Sequence, residues 1–150
     1  MKTALLLVFL AVCPPYGKTT NPLIRAQNVL KNRTVAPKTF RALTIAQLYA
    51  APRQQFSESL GVAVKGTVKS VAHQGTESCN CYSAAARDWH VVLTDGTHDL
   101  VTEVTPRVAC LRPAVGQQVV ARGWLFYDIA HLGNRACVWE VHPVFEYAKP

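Results

Sequence analysis

The sequence predicts an all-β domain in which five strands form a closed barrel and one short helix precedes them. Three observations support this prediction. Apolar and polar residues alternate in short runs after Gly61, glycine and proline separate the runs, and the first run contains Gly66, at which a strand can bend sharply. A chain of 150 residues is long enough for one such domain, assigned to residues 41–150, and too short for two well-buried ones.

The helix is expected at residues 44–51, directly before the strands. Thr44 and Gln47 have the spacing of a capping box, in which two side chains satisfy backbone groups of the first turn. Ile45 and Leu48 follow at helical spacing, and Pro52 ends the pattern. This helix is expected to pack against the barrel.

The five strands are expected at residues 61–69, 89–93, 100–104, 118–127 and 138–147, each with apolar residues at alternate positions. Closing a sheet into a barrel removes its exposed edges, and a small barrel needs only five strands. The pattern therefore favours an OB-like closed barrel over a β-sandwich, which usually has more strands.

The N-terminus has the features of a signal peptide. Lys2 is followed by an apolar run at residues 4–12 and then by helix breakers, Pro14, Pro15 and Gly17. The run is too short to cross a bilayer, and the alternative interpretation is a buried N-terminal helix. We expect residues 1–18 to be removed and the protein to be exported, to the periplasm or outside the cell. Lipid attachment at Cys13 is not expected, because the bulky Val12 precedes it.

Basic charge is concentrated in front of the predicted domain. The formal net charge is +7, and residues 18–53 hold seven basic residues and no acidic one, whereas residues 54–150 hold eight basic and nine acidic residues. We expect residues 19–40 to be a solvated basic linker that makes at most a weak contact with an anionic surface. Nucleic acid is not expected as a partner, because a barrel that binds it would itself carry the positive charge.

Four cysteines follow the predicted leader: Cys79, Cys81, Cys110 and Cys137. An even number in an oxidising compartment favours disulfides, and four cysteines allow three connectivities. A Cys79–Cys81 bond would close a small, strained ring. We therefore expect bonds from this pair to later segments, or a single Cys110–Cys137 bond. The alternative is a metal site formed by Cys79, Cys81 and a histidine.

Three segments carry a family resemblance. They are Asp88-Trp89-His90-Val91-Val92-Leu93, then Glu103-Val104-Thr105-Pro106 with Cys110, and a third that runs from Gly123-Trp124-Leu125-Phe126-Tyr127-Asp128 through His131 and Gly133 to Trp139-Glu140-Val141-His142-Pro143-Val144. They resemble the Asp-x-His, Glu-hydrophobic-x-Pro and Glu-x-His-Pro-Val segments of a group of small exported bacterial OB-fold proteins of unassigned function. The resemblance covers residues 88–144. The short turn at residues 94–99 and the additional Cys137 depart from it. It implies the fold and export, and brings no activity.

Acidic and imidazole side chains are expected to gather on one wall of the barrel. Strand alternation places Asp88 beside His90 and Glu140 beside His142, and an OB topology brings Glu103 next to both pairs. Carboxylates near imidazoles suit a divalent metal, with His90 and His142 as ligands, or acid–base chemistry. The alternative is that each group has a structural hydrogen bond.

Trp124 and Phe126 share a face of the fourth strand with Arg122. If exposed, the rings would form a stacking platform for bases or sugars, but we expect the helix at residues 44–51 to cover them. The ligand-binding candidates are therefore Asp88, His90, Glu103, Arg122, Trp124, Phe126, His131, Glu140 and His142.

The sequence favours an exported, non-catalytic binding module for a peptide, a glycan or a partner protein. It has no Gly-rich phosphate loop and no Gly-x-Ser-x-Gly motif, so no catalytic residue is assigned and no cofactor is firmly implied. The first alternative is a divalent-metal site, hydrolytic in one version, built from Asp88, His90, Glu140 and His142. The second is single-stranded nucleic-acid binding, which rests on analogy with other OB barrels alone.

Overall fold

The computed structural model describes residues 13–150, so the predicted signal-peptide run at residues 4–12 lies outside the described residues. Two α-helices and six strands follow in the order α1 (Pro22–Lys31), β1 (Arg41–Leu43), α2 (Ile45–Ala50), β2 (Gly61–His73), β3 (Trp89–Thr94), β4 (Asp99–Val104), β5 (Gln118–Tyr127) and β6 (Trp139–Ala148). Single 3₁₀ turns lie at Arg53–Gln55, Ser78–Asn80 and Ile129–His131. Neither helix is long and apolar enough to cross a bilayer.

Strands β2 to β6 form a closed barrel, which confirms the predicted fold class. The strand order is β2-β3-β4-β6-β5, and β5 pairs back onto β2. All neighbours are antiparallel except β4 and β6, which are parallel. This is the topology of an OB-like barrel. The long β2 makes closure feasible, because its first half pairs with β5 and its second half with β3.

The barrel interior is the hydrophobic core. Alternate residues of the strands point inward and are fully buried, among them Val64, Leu93, Leu100, Leu125 and Val141. Helix α2 also contributes to this core with Ile45 and Leu48, and the predicted Thr44–Gln47 capping box is present at its start. The predicted helix is therefore confirmed, and it packs against β2 and β4.

The segment predicted as a solvated linker instead contains α1 and packs on the barrel. Asn21 caps α1 by accepting hydrogen bonds from two backbone amides, and Pro22 occupies the first turn. Residues just before the helix are also held: Asn32 Nδ2 donates to Pro15 O (2.8 Å) and Asn28 Nδ2 to Tyr16 O (2.9 Å). We call residues 13–33 the N-terminal cover.

A disulfide between Cys13 and Cys81 attaches the N-terminal cover to the loop between β2 and β3. The predicted pairings were wrong, because Cys79, Cys110 and Cys137 are free thiols. Cys110 follows the carboxyl end of β4, whereas Cys137 precedes the amino end of β6. Since these two strands are parallel, the two cysteines lie toward opposite ends of the barrel and do not meet.

Candidate functional site

The candidate site lies on the outer face of β3, β4 and β6. Val91, Thr102 and Val141 lie side by side and turn into the barrel, so their neighbours along each strand point outward. In the strand register His90 pairs with Glu103. The same outward face carries Glu140 and His142 of β6.

This outer face is buried, although the outer face of an isolated barrel would meet water. The N-terminal cover and the loops that follow β2 and β5 enclose it. Asp88, Glu103, Glu140 and His142 are each at most 1% exposed. Phe126 of β5 completes the enclosure, with its ring edge-on to His142 at a centroid distance of 5.6 Å. The structure therefore brings the predicted acidic and imidazole side chains together.

His142 stands between three carboxylates. Its Nε2 lies 3.4 Å from Asp88 Oδ2, and its Nδ1 lies 3.4 Å from Glu103 Oε2 and 3.7 Å from Glu140 Oε2. Neither ring nitrogen makes a hydrogen bond of ordinary geometry, and the Oε2 atoms of Glu103 and Glu140 also have no hydrogen-bond partner among the described residues. Because buried polar groups are normally paired, this concentration of unpaired atoms is unusual.

Each carboxylate is fixed by its other oxygen. Asp88 Oδ1 accepts a hydrogen bond from Asn80 Nδ2 at 2.8 Å. Glu103 Oε1 contacts His90 Nε2, and Glu140 Oε1 accepts from Arg135.

Each of these carboxylates therefore has one oxygen held by a neighbouring side chain, while the second oxygen faces His142.

The carboxylates determine the protonation of the cluster. Burial alone would lower the pKa of His142, but Glu103 and the other two acids outweigh it and raise the pKa to about 10. Burial raises the pKa of Glu103. Burial acts in the same direction on Glu140, but His142 overrides it and lowers that pKa to about 2. His142 is therefore positively charged at neutral pH, and its charge offsets part of the negative charge of the three carboxylates.

Helix α1 adds a lysine to the edge of the cluster. Lys31 is buried, and its Nζ lies 3.3 Å from Glu77 Oε1 and 3.8 Å from Asp128 Oδ2. Burial opposes its charge, but the nearby Glu103, Glu77 and Asp128 keep its pKa above the ordinary value. Beside it is a cavity of about 140 Å³ lined by Ile24, Gln27, Asn28, Lys31, Glu77, Ser78, Cys79, Asp128 and Ala130.

Of the predicted aromatic platform, Phe126 is covered and Trp124 is half-buried, and the residues that pack on these rings are not those of the predicted helix. Trp124 Nε1 donates to Val35 O at 2.8 Å, and the Arg33 guanidinium lies 4.8 Å from the Trp124 ring centroid. Phe126 is fully buried under the N-terminal cover, not under α2. Arg122 stays at the surface, where it pairs with Glu146 at 2.9 Å.

The remaining candidates have separate places. His131 Nδ1 lies 2.7 Å from Asp128 Oδ2, at the rim of the cluster. Cys81 cannot serve as the predicted metal ligand, because its sulfur is in the disulfide. Cys79 remains a thiol, 3.9 Å from Asp88 Oδ2. His90 holds Glu103 and also contacts Gln74.

Within residues 13–150, three groups place one ligand atom from each member within 4.8 Å of one another. They are Asp88 with Glu103 and His142, Glu77 with Cys79 and Asp88, and Asp128 with His131 and Glu140.

Sequence reasoning missed Lys31, Asn80, Asp128 and Arg135. The Asn21-Pro22 pair, a typical helix start, was the signal for α1 and hence for Lys31. Asp128 stands in the third segment of the family resemblance, whereas Asn80 and Arg135 belong to loops whose path no local pattern specifies.

The fold and the site define an OB-like barrel with a buried acidic and imidazole cluster on its outer wall. No family model matches the chain, and no curated protein matches it. Among solved structures it is similar to that of RecG bound to a three-way DNA junction, at 13% identity and a TM-score of 0.45. The similarity covers 90% of this chain and 18% of that chain, so this protein spans less than a fifth of RecG.

Proposed function

We propose that the protein is an exported, non-catalytic binding module that holds a small polar ligand between the N-terminal cover and the outer wall of the barrel. The observation that carries the proposal is the set of unpaired, fully buried oxygens and nitrogens around His142. Leaving such atoms unsatisfied costs about 1–3 kcal/mol each, and a ligand that pairs with them removes this cost.

The cavity beside Lys31 is lined by none of the four central side chains of the cluster, so its size limits what can approach the cluster. A volume of about 140 Å³ compares with about 30 Å³ for each water molecule in the liquid. An ion or a small molecule fits. A peptide, a glycan or a partner protein would enter the site with one functional group at most.

Export is supported by the Cys13–Cys81 disulfide, since such bonds persist in oxidising compartments. The resemblance to small exported OB-fold proteins agrees with it. Cys13 is buried and forms the disulfide with Cys81, so it belongs to the folded protein. We propose that the leader is cleaved from the chain before Cys13.

Binding without turnover is proposed because access to the cluster is restricted. Its four central side chains are at most 1% exposed, so a substrate could not reach them without displacing the cover. Burial also raises the pKa of the Cys79 thiol, which keeps this nucleophile protonated.

Native mass spectrometry of protein purified from the export compartment tests the proposal. We expect a mass above that of the chain, and loss of the excess on denaturation. His142→Gln changes the residue at the centre of the unpaired atoms and should abolish the excess, whereas His98→Gln, in an exposed turn, should not. The proposal is wrong if the native mass equals the chain mass and no divalent cation, polyamine or amino acid raises the melting temperature.

A further inference from the structure

We propose that the ligand is a single divalent transition-metal ion of the zinc type, bound by Asp88, Glu103 and His142. This inference rests on the proposed binding function and names its ligand class.

The distances fit a metal site better than they fit hydrogen bonds. Charge-assisted N–H···O bonds are about 2.7–2.9 Å long, whereas the two contacts of His142 with Asp88 and Glu103 are 3.4 Å and make no such bond. Ligands about 2.1 Å from a tetrahedral ion lie about 3.4 Å from one another. The two contacts involve different ring nitrogens, Nε2 with Asp88 and Nδ1 with Glu103, so one of these carboxylates must shift toward the other nitrogen to share an ion. One donor atom of each of the three residues already lies within 4.8 Å of the other two.

The surroundings of the ligands have the form expected around a metal. Carboxylates that bind metals are themselves held by hydrogen bonds from neighbouring groups. Asn80 holds Asp88 in this way, and His90 contacts the other oxygen of Glu103. Both carboxylates are thus oriented before any ion arrives.

His142 has a carboxylate on each side of its ring, which also suits a metal ligand. A histidine bound to a metal through one nitrogen usually donates its other N–H to a carboxylate. With the ion at Nε2, Glu140 Oε2 lies 3.7 Å from Nδ1 and is in place to accept that hydrogen bond, which leaves Asp88 and Glu103 as ligands.

Formal charge favours a divalent ion. Asp88, Glu103 and Glu140 bring three negative charges into a region that is at most 1% exposed. Arg135 compensates Glu140 directly. Charged His142 offsets one of the other two, and a divalent ion that displaces the His142 proton compensates both.

The donor set selects among cations. Calcium takes six to eight oxygen ligands and magnesium requires near-octahedral oxygens, whereas one imidazole with two carboxylates suits zinc and related ions. The other two candidate groups are less suitable, because the Lys31 ammonium lies 3.3 Å from Glu77 and 3.8 Å from Asp128. An ion at either place would be in direct contact with this positive charge, whereas Glu103 interacts with Lys31 without forming an ion pair.

Zinc titration of the chelator-treated, oxidised full chain tests the proposal. We expect one zinc ion per chain and a melting temperature that rises with zinc and falls with chelator. His142→Gln and Asp88→Asn remove ligands, so each should weaken zinc binding by more than the roughly 10–100-fold that loss of an outer-shell partner causes. His98→Gln is the matched control, because His98 pairs with Asp95 in an exposed turn and should leave zinc affinity unchanged.

Cobalt spectroscopy of the wild-type protein gives a second measurement that does not depend on variant folding. We expect visible bands of a nitrogen- and oxygen-coordinated ion without a thiolate charge-transfer band. A thiolate band, which would identify Cys79 as the ligand, overturns the assignment, as does zinc binding that His142→Gln leaves intact. If zinc does not bind but native mass spectrometry finds an organic molecule, this inference fails and the proposed binding function stands.

Discussion

Two ion pairs of the same chemical type differ in their access to water. Arg135 and Glu140 pair at the buried cluster, where the Glu140 side chain is fully buried and that of Arg135 is 20% exposed. Arg122 and Glu146 pair on the barrel surface, with side-chain exposures of 40% and 56%. Because water screens the second pair and not the first, their contributions to stability should differ widely.

Replacing Arg135 by Met should lower the free energy of unfolding by about 1–3 kcal/mol, because the buried Glu140 Oε1 loses its hydrogen bond while His142 remains as a counter-charge. Arg122→Met is the control and should cost less than about 1 kcal/mol. Urea unfolding in chelator-containing buffer measures both without a contribution from bound metal. Equal effects of the two substitutions would show that Glu140 is not buried as described.

The Cys110 thiol should react slowly at neutral pH. Burial raises its pKa to about 11, so at pH 8 the thiolate fraction is about 0.1%, against about 10% for a thiol of pKa 9. We expect alkylation of Cys110 to be about 100-fold slower in the native protein than in the unfolded chain, and to accelerate about tenfold per pH unit up to pH 10. Mass spectrometry of the labelled protein follows this rate, and a native rate equal to the unfolded one would contradict the prediction.

At the scale of elements, the N-terminal cover decides whether the outer wall is a surface or an interior. It is attached by α1, by hydrogen bonds such as Arg107 to Cys13 O at 2.9 Å, and by the disulfide. Without these contacts the acidic cluster would be hydrated, and its unpaired atoms would find water.

Cys13→Ser should destabilise the protein by about 2–4 kcal/mol, because the disulfide closes a loop with a sequence separation of 68. Denaturant unfolding measures the loss, and Cys110→Ser, which removes a free thiol instead, is the control. Hydrogen exchange should show that residues 13–33 lose protection before the barrel strands do. Simultaneous loss in both regions would mean that the cover and the barrel unfold as one unit.

The barrel strands and α2 could be predicted from sequence because alternation and capping are local patterns. Val62, Val64 and Val68 specify the inward face of β2 wherever the strand lies, and Thr44 with Gln47 starts α2. Much of the site could also be predicted, since strand alternation alone places Glu140 and His142 on one face. The cover could not, because its position depends on tertiary contacts and on a disulfide of Cys13, a residue that the sequence pattern places in the leader.

For the whole molecule, the curvature of β2 determines whether the sheet closes. Strand β2 closes the ring because it pairs with β5 as well as with β3. Its register with β3 shifts between Val68 and Ser70. Gly66 lies just before that shift, where a Cβ atom would be 2.9 Å from Leu93 Cβ and 3.0 Å from Ile45 Cδ1. The core leaves no room there for a side chain.

Gly66→Ala should therefore lower the free energy of unfolding by about 1–3 kcal/mol through overpacking. Gly75→Ala is the matched control, because no heavy atom lies within 4 Å of its Cβ position and its φ is not in the left-handed region. It should be neutral or slightly stabilising. Thermal and urea unfolding compare the two variants, and a neutral Gly66→Ala would show that the core yields at this position.

Strand β1 has a consequence for how the protein behaves at high concentration. It pairs with residues 62–64 of β2, the part of β2 that lies beyond the end of its pairing with β3. The backbone left open along this flank is the outer side of β1, which has three residues and begins with the exposed Arg41. Short, charged edges are poor templates for a neighbouring chain, so aggregation by strand addition has little to start from here.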